Sequence, residues 1–261
     1  MEAALWVAKT GLDAQQTRMT VIANNLANVN TTGFKRDRAT FEDLLYQNVK
    51  QGGAQTSADT AAPTGLLLGT GTRVVATEKL HAQGNIIQTQ NAFDLAISGE
   101  GFFQILQPDG TLAYSRDGGF KISAEGVLVN SSGYRLQPEL AIPQNAQTIT
   151  VGADGTVSIQ TFGEAAAQTI GQIQVARFLN PSGLQAIGEN LFRETSSSGP
   201  PQVGIPTQQG NGQLIQGALE SSNVNVVEEM VNMIETQRAY EVNSKAIDAV
   251  NSMLQYANNN L

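Results

Sequence analysis

The chain has 261 residues, of which 41% are hydrophobic, so it can bury the core of one or two domains. Its net charge of −8 disfavours a nucleic-acid partner, because phosphate backbones are bound by basic surfaces. With no cysteine and one histidine, it has no disulfide, no thiolate nucleophile and no cysteine-bound or multi-histidine metal site.

The first predicted element is a long helix over residues 4–29. Its apolar side chains follow one another in alternating steps of three and four residues, the spacing of a coiled-coil seam. The seam is formed by Leu5, Ala8, Leu12, Met19, Ile22, Leu26 and Val29, with Gln15 as its polar position. We expect the helix to end near Asn30, because turn-forming residues follow it. Gly33 is then the candidate for a left-handed backbone conformation.

Residues 31–70 are predicted to form a connecting arm. Residues 39–50 contain four apolar side chains and fit either a short helix or an extended stretch. Residues 51–65 are rich in small and polar residues, which predicts a flexible segment or a long loop.

Residues 71–220 are predicted to form an antiparallel β-rich domain. The clearest hairpin spans Thr148–Ile159, with its turn at Asp154 and Gly155. Glycines at 110, 118, 126 and 133 separate short apolar runs, which predicts a meander of short strands. Further strands are expected at residues 93–98, 102–106 and 170–178, and a long polar loop at 195–212.

The last predicted element is a second long helix over residues 224–257. Asn225 and Glu228 have the spacing of a capping box, and acidic residues suit the positive end of a helix. Its seam is formed by Val226, Met230, Met233, Tyr240, Ile247 and Leu254, with Gln237, Ser244 and Asn251 as polar positions. The predicted fold class is therefore α+β, with terminal helices pairing as a coiled-coil-like layer around a central antiparallel β domain.

The two seams are predicted to be an assembly interface. They flank a β region that has apolar residues of its own, and polar side chains interrupt them. A helix pair diluted in this way is marginal alone, whereas buried amides fix the register between copies. The predicted interface comprises Leu5, Ala8, Leu12, Met19, Ile22, Leu26, Val29, Val226, Met230, Met233, Tyr240, Ile247 and Leu254.

No catalytic, cofactor-binding or metal-binding residue is predicted. His81 precedes a turn, lies near no nucleophile motif and is expected to be an ordinary surface residue. The three Asp-Gly pairs lack the ligand spacing of a calcium loop and are expected to be turns. The chain has no apolar run of roughly 18 residues that could span a bilayer. A cleaved signal peptide is not expected either, because polar residues interrupt the apolar positions near the N-terminus.

Two terminal motifs resemble the signatures of bacterial flagellar axial proteins, the family of rod, hook and hook-associated subunits. The N-terminal motif lies in residues 23–36 and the C-terminal one in residues 222–245; residues 99–103 and 114–118 are similar to the β domain of rod and hook subunits. Residues 5–16, 41–47 and 187–192 resemble distal rod subunits most. The signature positions are Asn24, Asn25, Asn28, Gly33, Phe34, Lys35, Ser222, Asn223, Gln237, Arg238, Asn243 and Ser244.

The resemblance implies a non-enzymatic subunit of the distal rod, a rigid hollow drive shaft that transmits torque from the motor to the hook. Residues 1–30 and 221–261 would form its inner tube, and residues 71–220 its outer domain. It further implies export by the flagellar type III apparatus without signal cleavage, and a location in the periplasm-spanning basal body. The implied partners are other copies of the chain, proximal rod and hook subunits and the L and P ring proteins, with no nucleic acid and no small-molecule substrate.

Three other interpretations stay open at this stage. The chain could be a hook or proximal rod subunit, which labelling in purified basal bodies would distinguish. It could be a secreted hydrolase of cell-wall glycan, which would turn over peptidoglycan. It could also be a carbohydrate-binding β module on helical oligomerisation ends, which would bind sugars without affecting motility.

Overall fold

The structure, a computed structural model, describes residues 2–53, 55–57, 60–61, 64–161 and 166–259. Helix α1 (Glu2–Ala27) begins the chain and helix α2 (Val226–Asn259) ends it. The strands between them are β1 (Asp37–Asp43), β2 (Tyr46–Lys50), β3 (Gln55–Ser57), β4 (Thr60–Ala61), β5 (Leu66–Gly69), β6 (Thr72–Lys79), β7 (Ile86–Gln88), β8 (Leu95–Ser98), β9 (Phe102–Leu106), β10 (Leu112–Ser115), β11 (Lys121–Ile122), β12 (Leu128–Val129), β13 (Arg135–Gln137), β14 (Ala146–Val151), β15 (Thr156–Thr161), β16 (Gln168–Gln172), β17 (Val175–Arg177), β18 (Gln185–Gly188), β19 (Leu191–Arg193), β20 (Gln202–Gly204), β21 (Gln213–Gln216) and β22 (Ala218–Glu220). The predicted α+β class is confirmed.

The chain divides into two compact units. The first contains Met1–Leu26, Asp37–Glu78 and Val226–Leu261, and the second contains Ala27–Arg36 and Lys79–Asn225. The predicted domains, which treat residues 31–70 as a separate arm, stay a prediction.

In the first unit, α1 and α2 pair in antiparallel orientation. The Arg18 guanidinium donates to the Asn232 side chain at 3.5 Å, and a Cβ placed on Gly11 would lie 3.0 Å from Nδ2 of Asn243. Between these two contacts the residue number falls from 18 to 11 on α1 and rises from 232 to 243 on α2, so the helices run antiparallel. The helices are about 39 and about 51 Å long at 1.5 Å per residue.

Residues 37–78 add antiparallel strand pairs to the first unit. Strands β1 and β6 pair with one another, and β2 pairs with β5, so the stretch 39–50 is extended rather than helical. The hairpin β1–β6 lies along α1: Asp37 bonds to Asn25, and the Thr72 amide donates to Oγ1 of Thr10. The predicted flexible segment 51–65 contains strands β3 and β4, and its residues 54, 58–59 and 62–63 lie outside the described residues.

The second unit is built on a nine-stranded sheet with β9 near its centre. Its main path is β11-β12-β13-β9-β10-β19-β18, and β17 joins β9 to β20. The predicted antiparallel meander is confirmed for β11, β12 and β13, which pair in chain order, whereas β10 pairs with β9 and not with β11. The reason is that β9 is buried on both faces and pairs on both edges, with β10 on one side and β13 and β17 on the other.

Alternation along β9 divides the interior into two clusters, because neighbouring strand residues point to opposite faces. The larger cluster consists of Leu95, Ile97, Phe103, Ile105, Ala113, Phe120, Leu128, Leu136, Leu140, Ile142, Val157, Ile173, Val175, Leu191 and Leu214. The smaller consists of Phe102, Tyr114, Ala176, Phe178, Leu184 and Phe192.

The predicted hairpin over Thr148–Ile159 is confirmed as β14 and β15. Ile149 lies opposite Ile159, and Val151 lies opposite Val157. In the turn, the Thr156 amide donates to the Asp154 carboxylate at 3.0 Å, and Gly155 has φ +83°. The predicted strand over 170–178 is instead two strands, β16 and β17, and the predicted loop over 195–212 contains the short strand β20.

Candidate assembly interface

The predicted seam of α1 lies on the less exposed side of that helix. Ile22 is buried, and the other seam residues are half-buried: Leu5, Ala8, Leu12, Met19, Leu26 and Val29. Val29 follows the end of α1 at Ala27, so the last seam position is in a turn.

The predicted seam of α2 is more exposed than that of α1. Met230 is 51% exposed, Tyr240 is 43% exposed and Val226 is 38% exposed, whereas Met233, Ile247 and Leu254 are half-buried. The positions that the structure buries on α2 are polar instead: Glu229 and Thr236. Whether the predicted seams contact other copies stays a prediction.

A second apolar stripe of α2, which the sequence analysis missed, faces away from α1. Its six large apolar members are 49–74% exposed. The stripe, named here the outer stripe, consists of Val227, Val231, Ile234, Arg238, Val242, Lys245, Ala249, Met253 and Tyr256. Its steps of three, four and four residues keep to one side of a straight helix. That repeat is visible in the sequence alone.

Hairpin β2–β5 also exposes apolar side chains. Leu66, Leu67 and Leu68 are 48–58% exposed, and Tyr46 and Val49 on the paired strand are 58% and 56% exposed. Successive leucines point to opposite faces of the hairpin, so both faces carry apolar surface. Sequence analysis missed this feature because a polar segment separates the two strands. Contiguous exposed apolar surface is typical of interaction sites.

The N-terminal signature residues bind the chain to itself. Asn25 is buried and makes two hydrogen bonds with the backbone of Asp37: its amide donates to the carbonyl at 2.9 Å, and its carbonyl accepts from the amide at 2.8 Å. Asn24 donates to the Asp37 carboxylate at 3.3 Å. Asn28 accepts from the Thr31 hydroxyl at 3.1 Å and so holds the turn after α1.

Lys35 belongs to a buried charged cluster in the second unit. Its ammonium lies 2.6 Å from Oε1 of Glu220 and donates to the Ala82 carbonyl at 2.8 Å. Arg116 reaches Oε2 of Glu220 at 3.2 Å and also donates to the Gly99 carbonyl. Burial lowers the pKa of the Lys35 ammonium, and the carboxylate of Glu220 opposes that shift. One carboxylate thus holds two buried cations, and sequence reasoning missed Glu220 because its partners are distant in the sequence.

The segment before α2 is paired with the segment after α1. The Asn223 side chain accepts from the Arg36 amide at 2.7 Å and donates to the carbonyls of Leu80 and Ala82. The Gly33 amide donates to the backbone carbonyl of Glu220 at 2.8 Å. Ser222 is buried and accepts from the Val224 amide at 3.3 Å. These bonds hold residues 220–223, just before α2, beside residues 33–36, which follow α1.

The signature residues within α2 are differently placed. Gln237 and Arg238 are exposed, and Ser244 is half-buried. Asn243 faces Gly11 of α1, where the absence of a side chain allows the close approach.

His81 is not the surface residue that the sequence predicted. Both ring nitrogens are buried, and the ring meets Phe102 and Phe192 edge-on at 5.5 Å. Burial and the nearby positive charges of Lys35, Arg116 and Lys79 lower its pKa to about 4. The prediction failed because apolar partners of His81 come from β9 and β19, far along the chain.

In the part of the chain that the structure describes, no cluster of His, Asp, Glu and Cys residues could hold a metal ion. Neither described helix is long and apolar enough to cross a membrane.

Three family models match the chain. Residues 5–35 match the model "Flagella basal body rod protein", residues 96–159 match "Flagellar hook protein FlgE/F/G D1 domain", and residues 215–260 match "Flagellar basal body rod FlgEFG protein C-terminal". The three segments include both terminal signatures and the centre of the β-rich unit.

Whole-length relatives carry matching names. The "Flagellar basal-body rod protein FlgG" of Buchnera aphidicola subsp. Schizaphis graminum is 54% identical, over 97% of each chain. The protein of that name from Borreliella burgdorferi is 49% identical over 99% of this chain and 98% of its own. The "Flagellar basal-body rod protein FlgF" of Caulobacter vibrioides is 35% identical over 95% and 93%.

We expect Glu220→Gln to destabilise the second unit by about 3–5 kcal/mol, because it leaves Lys35 and Arg116 buried without a counter-charge. Urea unfolding followed by circular dichroism measures the change. The control is Glu139→Gln, which removes an exposed pair with Arg135 and should cost less than about 1 kcal/mol. Equal losses in the two variants would contradict the importance of the cluster.

Substitution of Gly33 by Ala should cost more than the same substitution at Gly110. Both glycines have positive φ, +65° and +82°, so both variants carry backbone strain of about 1–2 kcal/mol. At Gly33, however, the new Cβ would lie 2.6 Å from the Asp117 backbone nitrogen, whereas nothing lies within 4 Å at Gly110. Thermal unfolding of the two variants tests this difference, and similar melting temperatures would refute the role of the close approach.

Proposed function

The chain belongs to the flagellar hook and basal-body rod family, and we propose that it polymerises into the distal rod, a rigid hollow shaft that transmits torque from the motor to the hook. It is a structural rod subunit and not an enzyme. The observation that carries this proposal is similarity to FlgG rod proteins along the whole chain, at up to 54% identity. The relative named FlgF is less similar, at 35% identity.

The exposed apolar surfaces of the first unit support assembly through the chain ends. The buried residues of the described α2, Glu229 and Thr236, are polar, and the only apolar residues that the described α1 buries are Ala14 and Ile22, which gives an isolated pair little stability. The outer stripe of α2 leaves large apolar side chains in water, and covering them is favourable at roughly 25 cal/mol per Å². Neighbouring copies of the chain would cover this stripe. We propose that the predicted seams and the outer stripe together form the inner tube.

Hairpin β2–β5 is the second proposed contact between copies. Its leucines are exposed on both faces, so a neighbour on each side could bury them. Extra contacts of this kind would resist sliding between adjacent subunits and so stiffen the shaft. The same contacts would distinguish a rod from a hook, which has to bend.

The remaining partners follow from this position in the flagellum. We propose contacts with proximal rod and hook subunits at the two ends of the shaft and with the L and P rings around it. The shaft would cross the periplasm, and its subunits would reach it through the flagellar type III export apparatus.

Ile234→Asp should abolish polymerisation, because it places a charge in the centre of the outer stripe. Ile234 is 49% exposed in the single chain, so the monomer should keep its circular dichroism spectrum. The matched control is Ala246→Asp, which adds the same charge on an exposed side of α2 outside both seam and stripe. Electron microscopy of rods and a motility assay give the readout. Full-length rods built from Ile234→Asp would exclude the stripe from the interface.

Replacing Leu66, Leu67 and Leu68 by Ser should leave rods that form but bend. The terminal helices would still assemble, whereas the hairpin contacts would lose their apolar surface. The measurement is the persistence length of isolated rods, obtained from their curvature in electron micrographs. Gln47→Ser with Asn48→Ser on the paired strand is the control and should leave rods straight. Straight rods from the leucine variant would rule out stiffening by this hairpin.

A further inference from the structure

His81 lies at the centre of the segment that holds the two terminal connections. Within residues 80–84, the carbonyls of Leu80 and Ala82 accept from the Asn223 side chain, at 2.8 and 3.0 Å. The Ala82 carbonyl also accepts from the Lys35 ammonium, and the Gly84 amide donates to Oε1 of Glu220 at 2.8 Å. The segment thus binds the chain after α1 through Lys35 and the chain before α2 through Glu220 and Asn223. The side chain of His81 holds residues 80–84 against the interior through its contacts with Phe102 and Phe192.

The surroundings of the His81 ring suit a neutral imidazole and oppose a charged one. Its ring neighbours Phe102 and Phe192 offer no hydrogen-bond acceptor, and both of its nitrogens lack a hydrogen-bond partner in the described chain. The charged groups that act on the ring, Lys35, Arg116 and Lys79, are all cations. The backbone of Pro181 opposes their effect without reaching hydrogen-bond geometry.

The charge balance of the cluster makes a further proton costly. Lys35 and Arg116 already place two positive charges against the buried carboxylate of Glu220, and the other carboxylate that acts on Arg116, that of Glu100, is 70% exposed. Both oxygens of the Glu220 carboxylate are engaged, Oε1 by Lys35 and the Gly84 amide, and Oε2 by Arg116. A protonated imidazole would add a positive charge without gaining a counter-ion.

We propose that His81 is an acid-sensitive latch: protonation expels its ring from the aromatic pocket and releases residues 80–84 together with the terminal connections that they hold. At neutral pH the ring is uncharged and the latch is closed. In acid, outward movement of residues 80–84 brings the two buried imidazolium nitrogens to water, and that movement breaks the bonds of the segment to Lys35, Glu220 and Asn223. The device depends on the fold of the second unit alone and not on the proposed function.

The pH range follows from the direction of the pKa shift. The folded-state pKa is about 4 and the usual value is 6.5, so between these values the unfolded or opened chain binds more protons than the closed one. Stability from this group is therefore complete above pH 6.5 and is lost as the pH falls toward 4. The opening equilibrium should rise by roughly two orders of magnitude across that range.

Because His81 is the one histidine in the chain, its titration can be followed without assignment ambiguity. The imidazole proton resonances of the full chain should titrate near pH 4 if the latch exists. Amide exchange at Gly84 and Gly33, corrected for its intrinsic pH dependence, should accelerate over the same range. A midpoint near 6.5 would overturn the proposal, because it would mean that the folded chain accepts the proton freely.

His81→Phe separates the latch from general acid denaturation. Phenylalanine fits an aromatic pocket and cannot be protonated, so the variant should fold at pH 7 and keep Gly84 and Gly33 protected down to about pH 4.5. His81→Gln, a polar residue that does not titrate, should lower protection by a constant factor at every pH. If exchange in His81→Phe accelerates with falling pH as it does in the original chain, the carboxylates and not His81 cause the opening, and the proposal fails.

Discussion

The structure of the second unit depends on one buried carboxylate, that of Glu220. Two cations from distant parts of the chain, Lys35 and Arg116, share it, and the Gly84 amide completes its hydrogen bonds. Removal of the carboxylate would leave both buried cations without their shared partner, whereas removal of one cation would leave the other still paired with Glu220. The carboxylate also lies in the segment that leads to α2, while Lys35 lies in the segment that follows α1. The cluster therefore fixes both terminal connections to one point of the β-rich unit.

A different kind of interaction governs the first unit. Its helices bury few apolar side chains, such as Ile22, share the hydrogen bond of Arg18 with Asn232, and leave the apolar outer stripe in water. Hydrogen bonds between side chains contribute about 1 kcal/mol each, which is little for helices of this length. Polar contacts of this kind fix the register of α1 against α2 but contribute little to the free energy of their pairing. Burial of the stripe by neighbouring copies would supply the missing stability, so the order of the ends would depend on assembly.

The sequence predicted those features that depend on local pattern. Helix periodicity located all four ends of α1 and α2 to within two residues. Turn residues located the β14–β15 hairpin, in which Gly155 has positive φ. It failed where the structure depends on distant partners. The pairing of β13 with β9, the burial of Glu220 and the aromatic surroundings of His81 all join residues more than 20 positions apart. No local spacing encodes such contacts.

The site residues divide along the same line. The N-terminal signature, from Asn25 to Lys35, and the pair Ser222 and Asn223 make hydrogen bonds within the chain, where only particular donors and acceptors fit. The surfaces proposed to contact other copies consist instead of apolar side chains, which many sequences could supply at the same spacing. The family motifs therefore coincide with the residues whose hydrogen bonds hold the segments next to α1 and α2 in place. A contact surface needs only apolar side chains at a helical spacing. Helix α2 carries two such sets, the predicted seam and the outer stripe, and the family motif points to neither set in particular.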